Sequence, residues 1–311
     1  MQEKHSGTGA VLALDVGGTK IAGAVVHPDG STGFRAQLPT PAQAGSTAII
    51  EAMDSVVAQR QSHCDSVPVG LGIGSAGVID PHTAKVVSAT DTILGWAGTD
   101  LSAALGDATG LEVRAVNDVH AHGLGEARFG AGQGADSVML LAVGTGIGGA
   151  FFTSGQLVSG FHHVAGHMGH IDSPYAAGLE CSCGRFGHVE AIAAGPGIYR
   201  HYQRLANNPD VGDTKAVTTL ANSGDQQAHK ALYIGELAAG SATGSLANVL
   251  DPQRIIIAGG MAGAGDIWWD GLRAGFAASA INLVSGTELS VAKLGTDAAL
   301  IGAASLFWTE S

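Results

Sequence analysis

The 311-residue sequence predicts an α/β fold built as two related lobes with a cleft between them. Three observations lead there. A short apolar run, a glycine turn and a second apolar run follow one another near the start. The same arrangement returns about 130 residues later, too long a period for a solenoid and right for one internal duplication. Between and beyond these two hairpins, segments of helical periodicity alternate with short apolar strands.

The elements follow in order. Val11–Leu14 and Ile21–Val26 read as two strands around Asp15-Val16-Gly17-Gly18-Thr19-Lys20, with Pro28-Asp29-Gly30 as the next turn. Ser46 or Thr47 is placed to cap a helix whose apolar face is Ile49, Ile50, Met53, Val56 and Val57. Val69, Leu71 and Ile73 alternate as a strand, Leu101–Leu105 suits a helix, and Val113–Val116 suits a strand. The second cycle opens with Val138–Val143, runs into Gly144-Thr145-Gly146-Ile147-Gly148-Gly149, and continues with a strand at Ala150–Phe152. Glu190 to Leu250 is mostly helical, Arg254–Ala258 is a strand leading to Gly259-Gly260, and Ala298–Phe307 is a closing helix.

Composition removes several function classes. Apolar residues make up 45% and charged residues 14%, which excludes a disordered chain or a coiled coil. Asp and Glu number 27 against 15 Lys and Arg, a net charge of -12, so no basic nucleic-acid face is expected. The 48 glycines have no collagen period and cluster in loops, where backbone can approach a ligand closely. Met1–Gly9 is polar, carries both charge signs and lacks the apolar core of a signal peptide; it reads as a disordered tail. No apolar run of about 18 residues is free of polar breaks, so no membrane span is expected. The odd cysteine count (Cys64, Cys181, Cys183) argues against a disulfide framework and for a reducing, cytoplasmic compartment.

Four motifs carry chemistry. Paired glycines in Asp15–Lys20 let backbone N–H groups point at an anion, Thr19 adds a hydroxyl, and Asp15 could hold hydrated Mg²⁺ near phosphates. An ordinary glycine hairpin would look the same, but Gly144–Gly149 repeats it, and two matching hairpins suggest a bound phosphate chain. Asp15–Lys20 is neither a Walker A loop nor a dinucleotide fingerprint, since the spacing or the following helix is missing. Asn117-Asp118 ends a strand, where a carboxylate can take the proton of an attacking hydroxyl; either residue could equally cap the next helix. His170, Cys181, Cys183 and His188 supply two imidazoles and two thiolates, a set that satisfies tetrahedral Zn²⁺, although Cys-x-Cys is tighter than the usual Cys-x-x-Cys. His120 and His122 are expected on different helix faces, solvated or behind the site. His162-His163 fits anything from loop packing to a substrate contact, Trp96 and Trp268-Trp269 read as packing residues, and Cys64 as a thiol without a role.

In this order the motifs resemble the ROK family (repressors, open reading frames, kinases) from Leu12 to about Leu306. Asp15–Lys20 is similar to its first phosphate motif, Gly144–Gly149 to the second and Gly259-Gly260 to its adenosine motif. Gly74-Ser75-Ala76-Gly77-Val78-Ile79-Asp80 is similar to its sugar-side loop, Asn117-Asp118 to its catalytic pair, and His170 with Cys181–Glu190 to its zinc-and-sugar motif. The resemblance implies an actin-like, ribonuclease H-like duplicated sugar kinase. Residues 10–118, joined by a C-terminal helix at about 298–311, would form one lobe, and residues 119–297 the other, carrying the zinc and sugar loop.

The implied roles are specific. Asp118 would be the general base for a sugar 6-hydroxyl; Gly77, Asn117, His167, His170 and Glu190 would join it in holding the sugar. Asp15, Gly17, Gly18, Thr19, Lys20, Gly144, Thr145, Gly146, Gly259 and Gly260 would bind ATP with Mg²⁺, and zinc would be structural. Members usually work as dimers or tetramers, and some use polyphosphate as donor. Two departures matter. His188 stands where the family's third cysteine is usual, and His167 replaces the glutamate of glucose-phosphorylating members.

The His167-Met168-Gly169-His170 form is similar to that of bacterial N-acetylmannosamine kinases, as are Leu38-Pro39-Thr40-Pro41 and Val189-Glu190-Ala191-Ile192-Ala193. An imidazole can donate to an acetamido carbonyl, which a carboxylate cannot. The expected reaction is therefore ATP-dependent phosphorylation of N-acetylmannosamine, with glucose as the alternative. A sugar-responsive transcriptional regulator of this family would need a helix-turn-helix domain ahead of Asp15, for which the sequence leaves no room.

Overall fold

The computed structural model describes residues 9–61, 67–207 and 210–308. Val11–Val16 (β1) and Lys20–Val26 (β2) pair antiparallel in the register Val11 to Val26 through Val16 to Ile21. Thr32–Pro39 (β3) adds to β2, with a shift at Ala24/Val25. Leu71–Ser75 (β4) and Val113–Asn117 (β7) extend the other side in parallel, giving the order β3-β2-β1-β4-β7. A small hairpin, Val78–Asp80 (β5) with Lys85–Ser88 (β6), lies between β4 and β7 in the chain. The expected strand start at Val69 moves to Leu71, and β3, a mostly exposed edge strand, is additional to the expected elements.

Alternation on β1 feeds two cores. Leu12, Leu14 and Val16 face Ile49, Met53, Val56 and Val57 of Ser46–Gln61 (α1) and Leu101 and Leu105 of Leu101–Thr109 (α2). Val11 and Ala13 pack with Leu300, Ile301 and Ala304 of the closing helix Ala298–Ala304, which continues as a 3₁₀ turn to Phe307. A sheet covered on both faces needs apolar residues in every position, which is why β1 reads as a continuous run. Ser46 is the first residue inside α1, with Gly45 ahead of it at φ +89°, so Ser46 and Thr47 are helical rather than flanking. Asp100 caps α2 by accepting from the Ala103 N–H.

The second sheet repeats the order of the first: β10-β9-β8-β11-β12, from Ser137–Val143 (β8), Ile147–Thr153 (β9), Gln156–Leu157 (β10), Arg254–Ala258 (β11) and Glu288–Val291 (β12). Equal strand order in both sheets is the duplication expressed in topology. Asp118–Phe129 (α3) follows β7, and Glu190–Ala193 (α4), Gly195–Ala206 (α5), Thr214–Asn222 (α6), Gln226–Leu250 (α7) and Asp266–Ser279 (α8) supply the helical third; the closing helix is α9.

Contacts divide the chain into two units. One runs up to Asp136 and includes Ala150–Ala165 and the stretch from Lys293 onward; the other is Ser137–Gly149 with Gly166–Ala292. The boundary expected after Asp118 thus lies beyond α3. The reason is packing of α3 on α9. A Cβ on Gly125 would collide with the Ala298 carbonyl, and one on Gly302 with the Ala121 carbonyl, so the backbones approach as only glycine allows. Glu126, fully buried on α3, accepts from the N–H groups of Ala131 and Leu294, which ties the start of the last segment to α3. The tail at residues 1–8, Cys64 and residues 309–311 lie outside the described residues; Gly9, assigned to the tail, accepts from Trp308 Nε1 at 3.2 Å.

Candidate functional site

In the first unit, β1 and β2 place Asp15 and Lys20 at the ends of a tight turn. The Gly17 N–H donates to the Lys20 carbonyl. Thr40 holds the turn from outside: its hydroxyl donates to the Gly17 carbonyl at 2.7 Å and its N–H to the Thr19 carbonyl. Thr19 is exposed at the tip. Thr40 lies in a Pro-Thr-Pro run, where nothing local marks it as a brace.

Asn117 ends β7 and caps α3, its Oδ1 accepting from the N–H groups of Val119 and His120. Its Nδ2 donates to the Gly77 carbonyl and to Asp118 Oδ1. Asn117 thus takes the capping reading, and its amide hydrogens are occupied by Gly77 and Asp118. Gly77 sits at φ +99°, with the Ser88 carbonyl 2.8 Å from where a Cβ would be. Asp15 is largely buried, and burial, then the charge of Asp118, pushes its carboxyl up to about 6, while Lys20 pulls it back. Two carboxylates this close to a lysine can hold a divalent cation or accept a proton.

His120 does not reach solvent, and His122 is half-buried. His120 is 4% exposed, with Nε2 2.6 Å from the Ala165 carbonyl. His122 Nε2 is buried without a hydrogen-bond partner among the described residues, and burial pushes its imidazole down. His163 takes the loop-packing reading, left-handed at φ +60° with Nε2 3.6 Å from Asp80. Trp96 packs in the core and donates to Ser75 Oγ; Trp268 and Trp269 are buried as expected.

In the second unit, β8 delivers Gly144 and Thr145 to the rim of a cavity of about 600 Å³. That volume lies in the range of small-molecule sites. Gly260 lines it with them, so two of the three glycine motifs expected to bind nucleotide meet at one cavity. Gly259 stands next to Val143 at φ +85°, where a side chain would strike the strand. Pro196, Asp213, Thr214, Lys215 and Met261 are also in the lining and carry no short motif. Lys215 brings a cation to a cavity that also holds the Asp213 carboxylate and the hydroxyls of Thr145, Thr214 and Thr218.

The zinc candidates converge. The ligand atoms of His170, Cys181, Cys183 and His188 all lie within 4.8 Å of one another. Cys181 Sγ is 3.5 Å from His170 Nδ1, and Cys183 Sγ is 3.2 Å from His188 Nδ1. Tetrahedral zinc with two sulfurs and two nitrogens has ligand–ligand edges of about 3.3–3.8 Å, so this donor set fits it. Burial pushes the His170 imidazole down, which suits a neutral nitrogen ligand. Gly184 and Gly187 are both left-handed in the loop that brings His188 Nδ1 to Cys183.

Glu190 opens α4 between this loop and the glycine hairpin. Its Oε2 accepts from the Ile147 N–H at 2.8 Å, and its Oε1 accepts from Ser182 Oγ and, at 3.7 Å, from Cys181 Sγ. His167 is exposed, with its ring centroid 6.1 Å from that of His170.

A family model described as ROK family matches residues 11–310. The chain belongs to the ROK family. The glucokinase of Halalkalibacterium halodurans is 33% identical to this ROK protein over 313 residues, 94% of this chain and 92% of that one. An N-acetylmannosamine kinase of Escherichia coli is 33% identical over 254 residues, 80% of this chain and 82% of that one. A ROK family glucokinase from Streptomyces griseus, crystallised with glucose and AMPPNP, has the same fold with a TM-score of 0.81 at 31% identity, covering 96% of this chain and 99% of that one. This ROK protein is a sugar kinase with the actin-like α/β fold of its family. No helix among the described residues is long and apolar enough to cross a membrane.

Proposed function

We propose that this ROK kinase transfers the γ-phosphoryl group of ATP to the 6-hydroxyl of an N-acyl hexosamine, N-acetylmannosamine first. The observation that carries the sugar is His167. It is exposed beside His170, at the position where the glucose-phosphorylating pattern has glutamate. Its imidazole can donate to an acetamido carbonyl, an interaction closed to a carboxylate.

Asp118 takes the 6-hydroxyl proton as that oxygen attacks phosphorus. Lys20 and the backbone N–H groups of the two glycine turns hold phosphate oxygens. The adenosine side of the nucleotide occupies the cavity lined by Thr145, Lys215 and Gly260. Gly77, His170 and Glu190 hold the sugar, and Asn117 orients Asp118 beside it through the Nδ2 bond to Oδ1. His170 can do so through Nε2 because Nδ1 is the nitrogen turned to Cys181. Mg²⁺ near Asp15 would neutralise charge on the transferred group. Zinc on His170, Cys181, Cys183 and His188 would fix the loop that presents these contacts.

Glucose is the second reading, favoured by the 33% identity to a glucokinase across 94% of this chain. An ADP-release assay with ATP and Mg²⁺ over N-acetylmannosamine, glucose, N-acetylglucosamine and mannose decides between them. The highest kcat/KM with N-acetylmannosamine is expected; a lead for glucose overturns the assignment to His167. Light scattering tests the accompanying proposal that the chain is a dimer or tetramer.

A further inference from the structure

Glu190 is more than a sugar contact. Its two carboxylate oxygens are both engaged within the second unit, and on different loops. Oε2 accepts from the Ile147 N–H, the first strand residue after Gly144-Thr145-Gly146. It also fills the space beside Gly146, where a Cβ would lie 2.9 Å from it. Oε1 accepts from the Ser182 hydroxyl, in the loop that carries Cys181 and Cys183. The carboxylate is held at the start of α4, and behind it Gly195 donates its N–H to the Gly144 carbonyl. The glycine hairpin is thus gripped at its exit by Glu190 and at its entry by Gly195.

We infer that Glu190 is a positioning residue for the nucleotide, a clasp that fixes the Gly144–Gly146 turn to the Cys181–His188 loop before any sugar binds. The physical case is one of preorganisation. A glycine-rich turn has many accessible conformations, and binding phosphates through its N–H groups costs the entropy of choosing one. A charged acceptor on the Ile147 N–H selects that conformation in advance; hydrogen bonds to charged groups are the strong ones. Gly146 lacks a Cβ for the same reason, since any side chain there would push the carboxylate off. The clasp also makes the two loops partners. Whatever orders the Cys181–His188 loop favours nucleotide, and nucleotide favours the ordered loop by the same factor.

The inference rests on the reading that the Gly144–Gly146 turn receives the nucleotide. Its test is therefore equilibrium binding of AMPPNP with Mg²⁺ in the absence of sugar, on the full chain. Glu190→Ala is expected to bind AMPPNP about tenfold more weakly than wild type, and Glu190→Gln, which keeps an acceptor for Ile147, to recover most of that loss. Hydrogen exchange at the Ile147 amide is expected to speed up in the alanine variant. A residue that only holds sugar would leave sugar-free nucleotide affinity unchanged. Glu190→Ala within about twofold of wild type therefore overturns the clasp. If that variant does not fold, Ser182→Ala decides. Ser182 sits on the outer oxygen of Glu190, and weaker AMPPNP binding supports the clasp while wild-type affinity overturns it. Wild-type protein that binds no AMPPNP at all would sink the nucleotide assignment itself, a separate failure.

Discussion

Asp118 and its neighbour Asp15 oppose each other. Burial, then the charge of Asp118, raises the Asp15 carboxyl to about 6 from an ordinary value of 3.8. A raised acid costs stability in a definite window. The cost is absent below pH 3.8, grows up to about 6 as the unfolded chain ionises first, and is complete above that. Asp118→Asn removes the neighbouring charge while its amide oxygen can keep the bond from the Val119 N–H. The variant is expected to melt higher than wild type at pH 7 and equally near pH 4. Its kcat is expected to fall by roughly 10²–10⁴, the usual worth of general-base catalysis. Turnover within about tenfold of wild type would remove Asp118 from that role.

His167→Glu tests the sugar. The substitution installs the glutamate of the glucose-phosphorylating pattern at an exposed position, so the fold should not respond. The ratio of kcat/KM for N-acetylmannosamine over glucose is expected to fall by about tenfold or more, a difference of about 1.4 kcal/mol. Steady-state kinetics on both sugars measures it. An unchanged ratio would mean that the acetamido group is read elsewhere.

The four-residue metal set predicts about one zinc per chain by elemental analysis. Chelation is expected to lower the melting temperature by about 5 °C or more, because each kcal/mol moves a domain of this size by roughly 2–4 °C. His188→Cys should keep the metal, since cysteine is the usual ligand there, while Cys183→Ala should lose it. Full zinc in Cys183→Ala would show that the ion sits on other residues.

Both hairpins and the metal set were legible in the sequence because their signals are local. Glycine pairs between apolar runs mark a turn, and Cys-x-Cys with nearby histidines marks a donor set. The braces were not, because each acts across long separations. Thr40 holds Gly17 from 23 residues away, and Glu126 reaches Leu294 across 168. Lys215, Thr214 and Pro196 reach the cavity beside Gly144 only through the packing of α5 and α6. The burial of His120 and of the His122 Nε2 atom was hidden for a related reason. Helical periodicity gives the face of a residue but not what covers that face; for His120, part of the cover is the Ala165 carbonyl. The unit boundary moved past α3 because two glycines, Gly125 and Gly302, let α3 and α9 meet backbone to backbone.

Glu236 gives an alkaline weakness far from any of these contacts in the chain. It lies on α7, fully buried against Gly271 of α8, and neither carboxylate oxygen has a hydrogen-bond partner among the described residues. Burial first, and the charge of Asp270 second, pushes its carboxyl up to about 8. Folded protein therefore keeps the proton that unfolded chain releases above an ordinary value of 4.5. Stability falls as pH rises from there to about 8, with a slope approaching ~1.4 kcal/mol per pH unit. Glu236→Gln removes the titration and leaves the shape. The difference in unfolding free energy between variant and wild type is expected to shift in favour of the variant by on the order of 2 kcal/mol between pH 5 and pH 8.5. Urea unfolding at the two pH values reads that shift directly, and any constant cost of burying the amide cancels in the comparison. A difference that does not change with pH would mean that Glu236 is ionised in the folded protein at pH 5, which its unpartnered, buried oxygens make costly.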